Sequence, residues 1–237
     1  MNVALPGWMT GGGAGGDAGP AARLVDLSHP LTESVPIYPG DPEPQIFTAT
    51  TVARDGYNLS HVHMGTQTGT HIDAPFHFRD HGATVDRMPL ELTVGPGVVV
   101  RVPGKPPGER ITLADLEPHR ERLCPGRIVL FATGWYAYAG TELFFDHPYL
   151  DAAVGEAILE AGVRTIAIDT LNADLTGGEE FPIHDLFADA GGFIAENLAG
   201  TAALTPGVEP LLVLLPLNLV GCDGAPVRAV ALEPAAG

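Results

Sequence analysis

From position 61 the chain alternates with a period of two. The odd positions read His61, His63, Gly65, Gln67, Gly69, His71, Asp73, Pro75 and His77, while the even ones include Val62, Met64, Ile72, Ala74, Phe76 and Phe78. Successive side chains of a β-strand point to opposite faces, so this run places imidazoles, an amide and a carboxylate on one side and apolar groups on the other. A sheet with one covered face follows, and its polar face carries groups suited to coordination.

His71 and Asp73 are two residues apart, about 6.6–6.8 Å between Cα atoms in a strand, so both reach one metal ion above it. His77 stands six residues beyond His71, roughly 20 Å of extended chain, and comes back to the site only where the chain turns at Ala74-Pro75. A catalytic role is therefore expected for His77, not a ligating one. A bare His-x-Asp pair is usually a solvated edge strand. Here Gly69 allows close backbone approach, and Thr68 or Thr70 can orient a ligand by hydrogen bonding.

Short aliphatic runs of strand length recur at 24–27, 46–52, 59–64, 98–102, 128–132, 165–168, 211–215 and 227–232. Helical patterns lie between some of them, through Leu113, Leu116, Arg120 and Leu123, and through Val154, Ile158 and Ala161 up to Gly162. The order is mixed, strand-rich first and alternating later, which predicts an α/β domain whose mixed sheet carries packed helices. The longest apolar stretch, 211–220, is about half of what a membrane helix needs and reads as a buried strand.

A chain of 237 residues with 45% hydrophobic content can bury a core of its own. Residues 1–22 form a Gly-rich stretch whose first twenty positions hold no Lys or Arg and no sustained apolar run. A disordered tail is expected there, with one domain over 23–237. The net charge of −17 argues against nucleic acid and anionic membrane as partners and leaves small molecules. Cys124 and Cys222 are far apart, which predicts a reducing, cytoplasmic setting and no cysteine metal site.

The string Gln67-Thr-Gly-Thr-His71-Ile-Asp73-Ala-Pro75-Phe-His77 resembles the HxGTHxDxPxH signature of the cyclase family, which includes bacterial kynurenine formamidase and isatin hydrolase. Tyr38-Pro39-Gly40-Asp41 resembles that family's aromatic-Pro-Gly-Asp turn, and His184 with Glu196 resembles its second ligand pair. The likeness runs from about Leu24 to Leu232. It implies a swivelling β/β/α fold and a centre of one or two divalent ions. Gln67, His71 and Asp73 would hold one ion, and Asp73, His184 and Glu196 the other, with Asp73 and Glu196 bridging. His77 would be the general acid or base.

Gln67 departs from the signature, which has histidine there. A neutral amide oxygen binds zinc more weakly than imidazole, so preference moves toward Mn²⁺ or Mg²⁺, with Mn²⁺ or Zn²⁺ the expected cofactor, and a single ion becomes an option. His63 is a candidate replacement ligand. Taken singly, His184 fits a helix start and Glu196 a solvated helix face. Asp169 follows an apolar strand and is a candidate supporting residue.

The chemistry implied is hydrolysis of an amide or lactam carbonyl in a small aromatic substrate, with Tyr38, Trp135 or Phe76 stacking on its ring. Two other outcomes use the same residues. One is a metal-dependent cyclase or dehydratase of a polyketide-like intermediate, the other an inactive binding homologue. A homodimer or homotetramer is expected from the fold's relatives.

Overall fold

The computed structural model describes residues 22–234; of the tail expected over 1–22, positions 1–21 lie outside the described residues, and Ala22 opens the first strand. Among the described residues thirteen strands form: β1 (Ala22–Asp26), β2 (Gln45–Thr50), β3 (Leu59–His63), β4 (His71–Asp73), β5 (Val94–Arg101), β6 (Arg110–Ile111), β7 (Ile128–Ala132), β8 (Tyr149–Leu150), β9 (Thr165–Ile168), β10 (Phe193–Glu196), β11 (Leu211–Val213), β12 (Gly224–Pro226) and β13 (Val230–Pro234). The α-helices among the described residues are α1 (Val52–Asp55), α2 (Leu113–Leu116), α3 (Ala152–Glu160) and α4 (Pro182–Asp189).

Nine strands make one sheet in the order β1-β13-β11-β5-β7-β9-β10-β4-β12. Its centre, β5-β7-β9-β10, is parallel, and both wings are antiparallel. The central strands are apolar on both faces because both are covered: β7 and β9 are buried at every position. On one side Val129, Phe131, Ile166 and Ile168 pack with Val154 and Ile158 of α3 and Ile183 and Phe187 of α4. On the other side Val25 and Leu212 from one wing share a cluster with Ile72 and Ala225 from the opposite wing, so the sheet curls over itself. Each large side chain enclosed in this way contributes about 1.5–3 kcal/mol. The expected mixed sheet with packed helices is what forms.

Three local expectations are corrected. The alternation from 61 to 77 is not one strand. It stops at His63, turns through Gly65 and Gly69 (φ +71°), and resumes as β4. His61 and His63 sit on the separate exposed hairpin β2–β3, where His61 stacks on Phe47, so His63 supplies no ligand. The run 211–220 is a buried strand only to Val213. Pro216 follows, and Leu217 and Val220 are exposed. The helical pattern from Leu113 gives one α-turn followed by a 3₁₀ segment, Glu117–Arg122, which begins with Pro118 at its second position. Among the described residues no helix is long and apolar enough to cross a membrane.

Candidate metal centre and active site

β4 lies between β10 and β12, and the antiparallel register sets Glu196 opposite His71 and Ile194 opposite Asp73. Residues directly opposite on paired strands share a face, so His71, Asp73 and Glu196 project together while Ile72 turns into the core. Each of the three offers a ligand atom within 4.8 Å of the others, and all are buried. His184, on the first turn of α4, closes the group from the helical layer.

The carboxylates are shared between the two imidazoles. Nε2 of His71 lies 3.4 Å from Asp73 Oδ1 and 3.7 Å from Glu196 Oε2. Nε2 of His184 lies 3.5 Å from Asp73 Oδ2 and 3.4 Å from Glu196 Oε1. Each imidazole therefore faces one oxygen of each carboxylate, the disposition in which Asp73 and Glu196 can bridge two sites. Both rings are turned by their other nitrogen. His71 Nδ1–H donates to the Gly69 carbonyl at 2.8 Å, and His184 Nδ1–H donates to Asp174 Oδ2 at 2.7 Å, which leaves each Nε2 lone pair free for an ion. Asp174 also accepts the backbone N–H groups of Ile183 and His184, so it fixes the helix start as well as the ring.

Metal fits this donor set. Both oxygens of Asp73 and Oε1 of Gln67 are buried without a hydrogen-bond partner, a cost that a cation removes. Burial alone would lower the pKa of His71, but the Asp73 and Glu196 carboxylates outweigh it and lift it to about 9. His184 is buried too, and Glu196, Asp174 and Asp73 hold it well above its ordinary 6.5. Burial would raise Asp73, yet His71 and His184 hold it far below the usual carboxylate range. Without an ion the cluster thus stores protons where an ion's charge would sit.

Next to it stands a pair that the sequence did not reveal. His77 Nδ1–H donates to Asp223 Oδ2 at 3.1 Å, and Thr66 Oγ1 and Gln67 Nε2 each donate to the same carboxylate at 2.8 Å. These bonds overcome the effect of burial and hold Asp223 at about 2. Burial lowers His77, but Asp223 and Asp73 prevail and raise it. Asp223 precedes β12 in a Cys-Asp-Gly turn with no periodicity to mark it. Gly224 follows because a Cβ there would stand 2.7 Å from the Gln67 amide and from the Ile72 carbonyl.

A cavity of about 210 Å³ opens on these groups. Of the aromatic residues expected at it, Tyr38 lines it, with its hydroxyl accepting from Gly177 N–H at 3.0 Å. Phe76 and Trp135 do not. The 3₁₀ turn Pro75–His77 ends the alternation, and Phe78 enters the wall in place of Phe76, beside Phe181 at 5.5 Å. Trp135 is packed against Phe144 and Leu171, and its Nε1–H donates to the Phe144 carbonyl. Asp169 accepts from Thr133, Gly134 and Thr201, tying loop ends together away from the cluster. Thr70 orients no ligand ring; it donates to the carbonyl of Asn197, the only described non-glycine residue with positive φ.

Comparison with known proteins agrees with this geometry. Residues 25–175 match the profile of a family described as putative cyclase. The chain is 33% identical over 208 residues to the kynurenine formamidase of Geobacillus thermodenitrificans, covering 86% of this chain and 95% of that one. It is 32% identical over 217 residues to the kynurenine formamidase of Salinibacter ruber, covering 87% and 96%. Among solved structures, isatin hydrolase A from Ralstonia solanacearum matches with a TM-score of 0.79 at 26% identity over 89% of this chain and 92% of that one. A predicted metal-dependent hydrolase from Bacillus stearothermophilus matches with a TM-score of 0.74 at 28% identity over 90% and 98%.

Proposed function

We propose that this chain, which belongs to the putative cyclase family, is a divalent-metal-dependent hydrolase of an amide or lactam carbonyl in a small aromatic substrate, of the N-formylkynurenine or isatin kind. The observation that carries this reading is the convergence of His71, Asp73, Glu196 and His184, with both Asp73 oxygens unpaired, beside the His77–Asp223 pair on an aromatic cavity.

His71, Asp73 and Glu196 would hold one ion, with the Gln67 oxygen within the same site, and His184 with the second oxygens of Asp73 and Glu196 would hold another. Mn²⁺ or Zn²⁺ suits this mixture of imidazole and oxygen donors. Such an ion lowers the pKa of water toward neutrality and polarises a carbonyl. His77 supplies the proton traffic. With Nδ1–H held by Asp223, its Nε2 accepts a proton from the attacking water and returns it to the departing nitrogen. Tyr38, Phe78 and Phe181 line the cavity and would give an aromatic substrate apolar walls that exclude water around it.

The balance for a formanilide is one water consumed, one C–N bond broken, and formate and an aniline released. The test is incubation of the Mn²⁺- or Zn²⁺-loaded enzyme with an ortho-acetyl formanilide, which can either hydrolyse or ring-close with loss of water, and with isatin in ¹⁸O-labelled water. Label in the released acid is expected. Product formed by loss of water without label would assign the same residues to cyclisation instead.

A further inference from the structure

Among the described residues the cavity wall carries two primary amides, Gln67 and Asn172, and hydrogen bonds turn them in opposite senses. Gln67 is held through its Nε2, which donates to Asp223 at 2.8 Å, and its oxygen is left over. Asn172 is held through its oxygen. Its Oδ1 accepts the backbone N–H of Asp174 at 2.9 Å, so the NH2 group is the end that remains. A backbone N–H bonds only to an acceptor, which fixes which end of this amide is oxygen. Asn172 is 4% exposed, and it lines the same cavity as His71, His77 and Glu196. Its Nδ2 meets no acceptor among the described residues.

The neighbouring bonds set where that donor stands. Ala173 N–H donates to Glu196 Oε1 at 2.5 Å, so the carbonyl carbon of Asn172 is one covalent bond from a nitrogen that touches a ligand carboxylate. The Asn172 carbonyl in turn accepts from Thr170 Oγ1–H at 2.7 Å. Backbone and side chain are thus held in place beside the carboxylate–imidazole cluster before a substrate arrives. A buried amide whose N–H donors go unanswered carries a penalty that an entering acceptor removes. No lysine or arginine lines the cavity, Gln67 Nε2 is engaged, and His77 Nδ1–H is spent on Asp223. A negative oxygen arising there therefore finds in Asn172 a preset neutral donor.

We propose that Asn172 Nδ2–H donates to the oxygen of the attacked carbonyl and holds it as it becomes an oxyanion. This rests on the hydrolase reading above and adds a catalytic residue to it. As the oxygen of water bonds to the carbonyl carbon, the C=O electron pair moves onto the carbonyl oxygen. When that pair returns, the C–N bond breaks, and the nitrogen leaves with the proton that His77 delivers. The full charge on that oxygen exists only between these two events, so a donor aimed at it lowers the barrier more than it tightens the ground state.

The test has two arms, both on the metal-loaded full chain, with Asn172→Ala and Asn172→Ser, the second of which keeps an acceptor for Asp174 N–H. With a formanilide, Asn172→Ala is expected to lower kcat by about 10²-fold or more and to leave KM nearly unchanged, and Asn172→Ser to recover part of the loss. Bound metal per chain should be the same in wild type and both variants. The second arm is calorimetry with N-phenyl methylphosphonamidate, a stable tetrahedral anion. Its binding should weaken by about tenfold or more in Asn172→Ala, while the binding of aniline stays unchanged. A loss confined to KM, a loss of bound metal that accounts for the lost rate, or equal phosphonamidate affinity in wild type and both variants overturns the proposal. Absence of turnover in the wild type sinks the hydrolase reading alone, because the phosphonamidate comparison still decides the role of Asn172.

Discussion

His77 Nδ1 and Asp223 Oδ2, from residues 146 positions apart in sequence, are joined by a 3.1 Å hydrogen bond at the rim of the carboxylate–imidazole cluster. A carboxylate so placed fixes the imidazole tautomer and stabilises the imidazolium, which is what a residue that first takes and then gives a proton needs.

Asp223→Asn is therefore expected to lower kcat for amide hydrolysis by roughly 10²-fold, within the range general acid–base groups contribute. His71, Asp73 and Glu196 are untouched by the change, so bound metal should persist. Asp223 raises His77, so its loss lets the His77 pKa fall. If neutral His77 is the base, the rising limb of the kcat/KM profile moves to lower pH. A pH profile with an unmoved limb and unchanged kcat would detach Asp223 from catalysis.

The metal-free protein should lose stability as pH rises from near neutrality. His71 has a folded pKa of about 9 against an ordinary 6.5, and His184 is shifted the same way, so the folded state binds more protons between those limits. Their contribution is complete below about pH 6.5 and disappears as pH passes about 9. Metal binding needs both imidazoles neutral, so it releases protons and strengthens with pH. The gap in Tm between metal-loaded and metal-free protein is expected to widen from about pH 6 to about pH 9. A gap that stays constant would mean that the protons and the ion do not share a site.

Asp174 holds His184 at 2.7 Å and accepts two backbone N–H groups of the same helix start. Replacing a supporting carboxylate of this kind costs about 10–100-fold in metal affinity. Asp174→Asn should show that loss in a competition titration with a chelating dye, with a smaller loss for any ion held only by His71, Asp73 and Glu196. Identical affinities in wild type and variant would leave Asp174 as a helix cap only.

His71 and Asp73 were legible because two ligands on one strand leave a period-2 trace, and the buried strands at 128–132 and 165–168 were legible because both faces are covered. What lay hidden was local structure without a period. β10 has four residues and ends on the charged Glu196, and β12 is Gly-Ala-Pro, a composition that disfavours strands until β4 lies beside it. Asp174 and Asp223 sit in loops, where an acidic residue carries no positional signal until the chain has folded. Phe78 rather than Phe76 reaches the cavity because the 3₁₀ turn Pro75–His77 rotates successive side chains by one-third of a circle, which a pattern of period two does not set.

In the proposed two-ion reading, Gln67 would set the character of the first ion site. Its Nε2 is held by Asp223 at 2.8 Å, while Oε1 is buried with no partner, so the amide is oriented with its oxygen available. Gly224 makes room for that orientation, since any Cβ there would collide with the amide. Gln67→His replaces a neutral oxygen donor by imidazole, which should raise zinc affinity and favour two ions over one. The cost falls on Asp223, which loses one of its three side-chain donors and holds His77 less firmly, so kcat need not rise with affinity. Titration with zinc and manganese followed by amide assays separates these effects. Tighter zinc with lower kcat fits a natural site tuned to a weaker donor, and tighter zinc with higher kcat fits a two-zinc enzyme restored. If neither zinc affinity nor stoichiometry changes, Gln67 serves Asp223 alone and the first ion is held by His71, Asp73 and Glu196 without it.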